Sequence, residues 1–293
     1  MSKFVLTYCE TTEYLNNFVY ENKDEIEKLK IRINLPDKKI YELLTNKESS
    51  AAIIKKLAKI KTPPRIKGNE LTIPFVIKPK KNIVGDKVFY PQIILTIEDY
   101  RKAELYLNNN KWFNQKYIDG QSIYFCSYIS RNGETAYYWQ NNLVQQENGK
   151  SIILAKTTQN PGVDTAKLIS GLIKLDYHGL FMMEVIKTNR NELYFIEINP
   201  RFWGPLQLSL TVCPEILYLY TKDAGLEITE KSNLIAKKDE AWYAWSFGAK
   251  NQKKLRVYPE LPKGMSSVNK MNDVLKKYDI YNYSDTRKLT GVY

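Results

Sequence analysis

The stretch LFMMEVIKTNRNELYFIEIN (180–199) holds two apolar runs joined by the polar residues Asn189, Arg190, Asn191 and Glu192. That pattern predicts a β-hairpin with a four-residue loop. Folding it between Arg190 and Asn191 pairs 188 with 193, 186 with 195 and 184 with 197. Elsewhere, KFVLTYCET predicts a strand followed by a helix to about residue 30, and INLPDKK a loop into another helix. A helix over 51–60 is stopped by Pro63-Pro64. Short strands and loops fill 71–97, and a helix covers 98–108. Strands at 112–118, 122–130 and 134–140 read as a meander turning at Asn132-Gly133. One helix at 163–175 precedes the hairpin and another follows Gly204 to about 221. In the lysine- and tyrosine-rich segment 226–293, the pattern supports a helix at 268–277.

The hairpin carries polar residues that a core strand does not want. Side chains alternate across a strand, so Glu197, Asn199 and Arg201 share a face if the strand runs that far. Burying such a row without partners is costly. Either the face is solvated, as on an edge strand before a Pro-led loop, or something charged sits on it. The register sets Glu184 opposite Glu197. Two carboxylates about 5 Å apart repel by roughly 3 kcal/mol at an effective dielectric of about 20. A hard cation between them turns that repulsion into a site, and Asn199 supplies a third oxygen. Mg²⁺ suits this set, with positions left for water and phosphate. A slip of one residue would move Glu184 to the other face.

Composition narrows the classes. A chain of 293 residues with 43% hydrophobic and 26% charged content is an ordinary globular composition. No apolar run approaches a membrane span, and residues 1 to 10 show no signal-peptide pattern. Cys9, Cys126 and Cys213 lack metal spacing and read as reduced thiols of a cytoplasmic protein. The net charge of +12 could serve nucleic acid, an anionic membrane or anionic small molecules. No nucleic-acid motif accompanies it. Much of the excess lies in amphipathic segments such as IIKKLAKIK, and a nucleotide triphosphate with an anionic acceptor would use the remaining field.

Five stretches, in order, then point one way: TNKESSAAIIKKLAKIKTPP (45–64), IPFVIKPKK (73–81), FNQKYIDG (113–120), LIKLDYHGLFMMEV (172–185) and EINPRFWG (197–204). Over roughly residues 1 to 225 they resemble the ATP-grasp superfamily, in particular its ATP-dependent carboxylate–amine ligases. The resemblance implies an α+β ATP-grasp fold, with two α+β subdomains sandwiching ATP behind a shortened N-terminal region. Its parts would be a truncated N-terminal α/β region (1–45), subdomain A (46–112), subdomain B with the metal site (113–225) and a C-terminal extension (226–293). It also implies that Lys47 and Lys78 reach the nucleotide phosphates, with Lys38 of LPDKK as a rival to Lys47. Adenine would meet the main chain of Lys116 and Ile118, beside the Gln115 side chain. Mg²⁺ would be held by Glu184, Glu197 and Asn199. Arg201, with Lys78, would steady the transferring phosphate, unless it forms a salt bridge to Glu184 or Glu197.

The implied reaction joins small-molecule carboxylate and amine substrates through an acyl-phosphate, with ATP and Mg²⁺ and without a protein nucleophile. A small-molecule kinase on the same fold, or a nucleotide-binding module without catalysis, remain open beside it. His178 reads as a turn residue, and Phe202 and Trp203 as core. The chain departs from the family in four places. Lys116 replaces an acid, KPKKNIVGDK replaces a glycine-rich loop, and QNNLVQQENGKS lacks arginines found in relatives. Only about 45 residues precede Lys47, which implies that a homodimer or partner chain completes the acceptor wall.

Overall fold

The computed structural model describes residues 5–67, 70–84, 87–107, 110–226, 238, 240–250, 252, 254–265, 268–284 and 286. Its first strands, β1 (Leu6–Thr7) and β2 (Ile31–Arg32), pair in parallel. Helices α1 (Glu13–Glu21) and α2 (Lys23–Lys28) form the crossover such a pair needs. The single helix expected to residue 30 is broken at Asn22. Its backbone leaves the helical region, and its side-chain amide caps the Phe18 carbonyl at 2.8 Å.

Helix α3 (Lys38–Thr45) is capped by Asp37, and α4 (Lys47–Ala58) by Asn46, whose side-chain oxygen accepts from the N–H groups of Glu48 and Ser49. Lys47, Ser50, Ile54 and Ala58 recur at helical spacing and form the buried stripe of α4. Lys47 heads that stripe, so the packing of the helix carries its ammonium inward.

Next come β3 (Arg65–Ile66), β4 (Phe75–Pro79), the hairpin β5 (Ile83–Val84) and β6 (Lys87–Val88), β7 (Gln92–Ile94), α5 (Ile97–Leu107) and β8 (Trp112–Lys116). Strands β3–β8–β4–β7 form an antiparallel sheet in that order. Phe75, Ile77, Ile94, Ala103 and Trp112 make its core. Alternation along β4 turns Val76 and Lys78 to the opposite face.

The larger sheet contains β9 (Gln121–Ile129), β10 (Thr135–Gln146), β11 (Ile152–Thr158), β12 (Gly179–Lys187) and β13 (Leu193–Asn199), with α6 (Thr165–Lys174) before β12. After it come α7 (Leu206–Val212), α8 (Glu215–Asp223), β14 (Trp242–Ala244), α9 (Ser246–Lys250), β15 (Leu255–Val257) and α10 (Val268–Lys277). The strand order is β13–β12–β9–β10–β11–β14, with β15 added to β10. Every residue of β9 is buried because both faces are covered. Ile123, Phe125 and Ile129 pack with Leu44, Ile54 and Leu168 on one side. Tyr124, Cys126 and Tyr128 pack with Leu208 and Ile216 on the other.

Three expectations are corrected. Strand β8 pairs with β3 and β4, not with β9, so the expected three-strand meander does not form. The chain crosses between sheets at Tyr117–Gly120, and Gly120 packs so closely on the Lys187 carbonyl that a Cβ would collide. Strand β10 runs on to Gln146 and is joined by β11, neither foreseen. The polar residues Gln140, Asn141, Asn142 and Gln145 are buried there and find partners within the protein, as when Gln140 donates to the Asn142 side chain at 2.9 Å. The helix after Gly204 is two helices, interrupted at Cys213-Pro214, because proline lacks the N–H and restrains its predecessor. The turn at Asn132-Gly133 and the helix at 268–277 are as expected.

Candidate active site

The β12–β13 hairpin sets Glu184 opposite Glu197, by a different route from the one the pattern implies. Lys187 faces Leu193 and Ile186 faces Tyr194, one residue off the inferred pairing. A bulge at Ile196 then restores the register at Glu184. The extra residue leaves Phe195 and Ile198 in the core facing α4 and α6. Ile196, Glu197 and Asn199 line a cleft of about 1020 Å³ on the opposite face, with Met182, Glu184 and Ile186.

Cations surround Glu197. Lys47 Nζ lies 3.4 Å from its Oε2, and Asn199 Nδ2 donates to its Oε1 at 2.9 Å. Lys78 Nζ donates to the Ile196 carbonyl at 3.0 Å. Burial alone would raise the Glu197 pKa, but Lys47 and Lys78, then Asn199 and Arg201, hold it at about 2. Glu184 goes the other way. Burial and then the Glu197 charge lift it to about 7, against the Ser122 hydroxyl that donates to it at 2.6 Å. Burial and then Lys47 bring Lys78 down to about 8. Below about pH 7 the pair therefore holds one proton, on Glu184.

Lys47 is buried while its rival Lys38 is exposed, and its ammonium reaches the cleft residue Glu197. Arg201 donates to the Phe202 carbonyl at 2.9 Å and lines the cleft. Among the described residues it forms no ion pair, since the salt bridge to Glu197 belongs to Lys47. Gln115, Lys116 and Ile118 line the far wall. The Lys116 N–H bonds to the Pro64 carbonyl at 2.9 Å. The tip of the glycine-poor loop, Gly85-Asp86, lies outside the described residues. His178 lies outside the cleft, while Phe202 and Trp203 are buried yet also form part of its wall.

No protein-family model and no curated protein matches the chain. Solved structures do. The biotin carboxylase domain of Hydrogenobacter thermophilus 2-oxoglutarate carboxylase, crystallised with MgADP, ADP and bicarbonate, superposes at a TM-score of 0.57 with 18% identity. It covers 78% of this chain and 56% of its own. Biotin carboxylase from Campylobacter jejuni, in complex with β-γ-ATP, gives 0.56 at 15% identity, covering 78% and 57%. N5-carboxyaminoimidazole ribonucleotide synthetase from Thermus thermophilus gives 0.54 at 16%, covering 76% and 62%. The chain has the ATP-grasp fold. It spans between about half and two thirds of the length of these neighbours.

In this ATP-grasp chain the cleft lies between the two sheets, with Val76 and Lys78 on one side and Glu184 and Glu197 on the other. The donor set fits a hard divalent cation. Two carboxylates face one another, and Asn199 keeps its amide oxygen while its nitrogen serves Glu197. Among the described residues no group of three or more His, Cys, Asp or Glu side chains converges, so a bound ion would keep positions for water or phosphate.

Several cleft residues escaped the sequence pattern. Glu13, at the start of α1, lines the cleft and accepts from Asn82 Nδ2 at 3.1 Å, with burial raising its pKa. An acid in a first helical turn ordinarily serves the helix, which hides it. Ser122 joins Glu184 to the Asn142 amide at 2.8 Å. Arg256 and Tyr258 arrive from β15 and the residue after it, in a segment without a recognised motif.

Proposed function

We propose that this chain is an ATP-dependent ligase that joins a small carboxylate to an amine through an acyl-phosphate. The observation that carries the reading is that Lys78, Arg201 and the facing pair Glu184 and Glu197 line one cleft, and that buried Lys47 pairs with Glu197. Adenine occupies the Gln115–Ile118 end and the terminal phosphates the lysine end. Glu184, Glu197 and Asn199 would hold Mg²⁺, which would neutralise phosphate charge there. Lys78 and Arg201 bind the γ-phosphate oxygens and steady the charge that develops as the substrate carboxylate attacks. The amine then attacks the activated carboxyl, and phosphate leaves as the amide forms. No side-chain nucleophile is needed.

A cytoplasmic setting goes with this reading: no disulfide joins the three cysteines. Among the described residues no helix is long and apolar enough to cross a membrane. The amine and acid enter from the Thr11–Tyr14 side, where a second copy or another chain extends the wall.

The test is ADP and phosphate release with Mg²⁺ across an acid and amine panel, with hydroxylamine to trap an activated carboxyl as its hydroxamate. Turnover that needs both acid and amine supports the ligase. A stable phosphorylated product would replace it with a kinase. Tight Mg-ATP binding without turnover would replace it with a nucleotide-binding module.

A further inference from the structure

Strand β15 delivers a cation to the cleft. Its pairing with β10 sets Arg256 opposite Gln145, and both side chains line the cavity. The Arg256 guanidinium lies 4.7 Å from the Tyr258 ring centroid and 5.5 Å from that of Tyr117. It also donates to the Tyr117 hydroxyl at 3.1 Å. Two aromatic rings and one hydroxyl hold the planar cation in place. Among the described residues no carboxylate forms an ion pair with it. A guanidinium has five N–H donors, and one bond to a tyrosine leaves most of them for a ligand.

Its place along the cleft is bracketed from both ends. Tyr117 lies within the hinge segment Gln115–Ile118. On its other side the guanidinium stacks on Tyr258, which lines the cleft together with Glu184 and Tyr124, the residue opposite Glu184 in the ladder. The guanidinium therefore stands between the hinge and the carboxylate pair.

We infer that Arg256 binds the α-phosphate of the nucleotide. The inference builds on the nucleotide reading of the cleft. With the base at the hinge and the terminal phosphates at Lys47, Lys78 and the carboxylates, the ribose and first phosphate span the interval. Of these two, the phosphate is the anion that a guanidinium fork engages bidentately. The C-terminal segment thus contributes directly to the nucleotide site.

The experiment is displacement of a fluorescent ADP analogue from the full chain, with Mg²⁺, by unlabelled ADP, AMP and adenosine. It compares the parent with Arg256→Gln, Arg256→Lys and Tyr117→Phe, each first checked for an intact fold by circular dichroism. Arg256→Gln should weaken ADP and AMP by the same factor, about tenfold, and leave adenosine unchanged. Tyr117→Phe should weaken both phosphates a few-fold by loosening the guanidinium. Equal weakening of adenosine would place the contact on ribose or base and overturn the assignment. So would a loss confined to ADP, or no change at all. If Arg256→Gln does not fold, Arg256→Lys keeps the charge but not the fork, and the same contrast between AMP and adenosine decides. A parent that binds no Mg-ADP overturns the nucleotide reading itself. That is distinct from a parent that binds it and variants that bind it equally.

Discussion

Removing one charge at a time from the facing acids should have opposite effects on stability. Glu184 is raised from 4.5 to about 7 by burial and then by Glu197. It holds its proton more tightly folded than unfolded, so its contribution is fully present below pH 4.5 and is lost as the pH rises through about 7. At about 1.4 kcal/mol for each pH unit between those values, the ionised form costs the fold up to about 3 kcal/mol. Glu184→Gln keeps an acceptor for the Ser122 hydroxyl and removes that cost. Glu197 is lowered from 4.5 to about 2, because its cations outweigh burial. Its contribution is present above pH 4.5 and lost as the pH falls through about 2. Glu197→Gln therefore forfeits up to about 3 kcal/mol and leaves Lys47 buried without its partner. At about 2 °C per kcal/mol for a chain of this size, the metal-free midpoints at pH 8 should move about 6 °C up for Glu184→Gln and about 6 °C down for Glu197→Gln. Differential scanning fluorimetry from pH 5 to 8.5 reads both. The parent should lose midpoint between pH 5 and 7 relative to Glu184→Gln. A Glu184→Gln variant less stable than the parent at pH 8 would refute the picture of a strained carboxyl.

Other outcomes follow from the same geometry. Mg²⁺ and ATP together should raise the thermal midpoint well beyond the sum of their separate effects, since both engage one site; additive shifts would contradict a bridging metal. Lys47→Met should destabilise the fold by about 3 kcal/mol in urea titrations, because Glu197 loses its buried partner, and should weaken Mg-ATP binding in calorimetry. Gly120→Ala should lower the stability read from urea titrations by at least about 2 kcal/mol, or abolish soluble protein, because its Cβ meets the Lys187 carbonyl backbone; a neutral variant would show that the crossing between sheets is loose.

The chemistry was easier to read than the architecture around it. Glu184, Glu197 and Asn199 stood out because polar groups on an apolar strand frame have few structural uses, and the fold sets all three in the cleft; Lys47, implied by the resemblance, pairs with Glu197. The hairpin pairing at 184 and 197 was right although both the loop and the strand deviate by one residue, since the two deviations cancel. Periodicity could not see the second half of β10. Its buried Gln and Asn residues bond to groups brought in from other elements, such as Ser122, Tyr258 and Glu260, partners invisible in a linear pattern. The assignment of β8 failed because adjacency in sequence favours pairing with β9, and only the packing of Gly120 on Lys187 sends the two strands to different sheets. The expected repulsion between the acids was half right. Lys47 takes Glu197 as its own, so the strain falls on Glu184 alone.

The bulge at Ile196 has a further consequence for Lys78. An irregularity in the ladder leaves the Ile196 carbonyl to an ammonium, which it receives from across the cleft at 3.0 Å. A carboxylate in that place would aim the lysine equally well but would cancel its charge. A carbonyl aims it and cancels nothing. The small lobe is thereby tethered to the large one through a neutral atom, which orients the lysine without adding a counter-charge of its own.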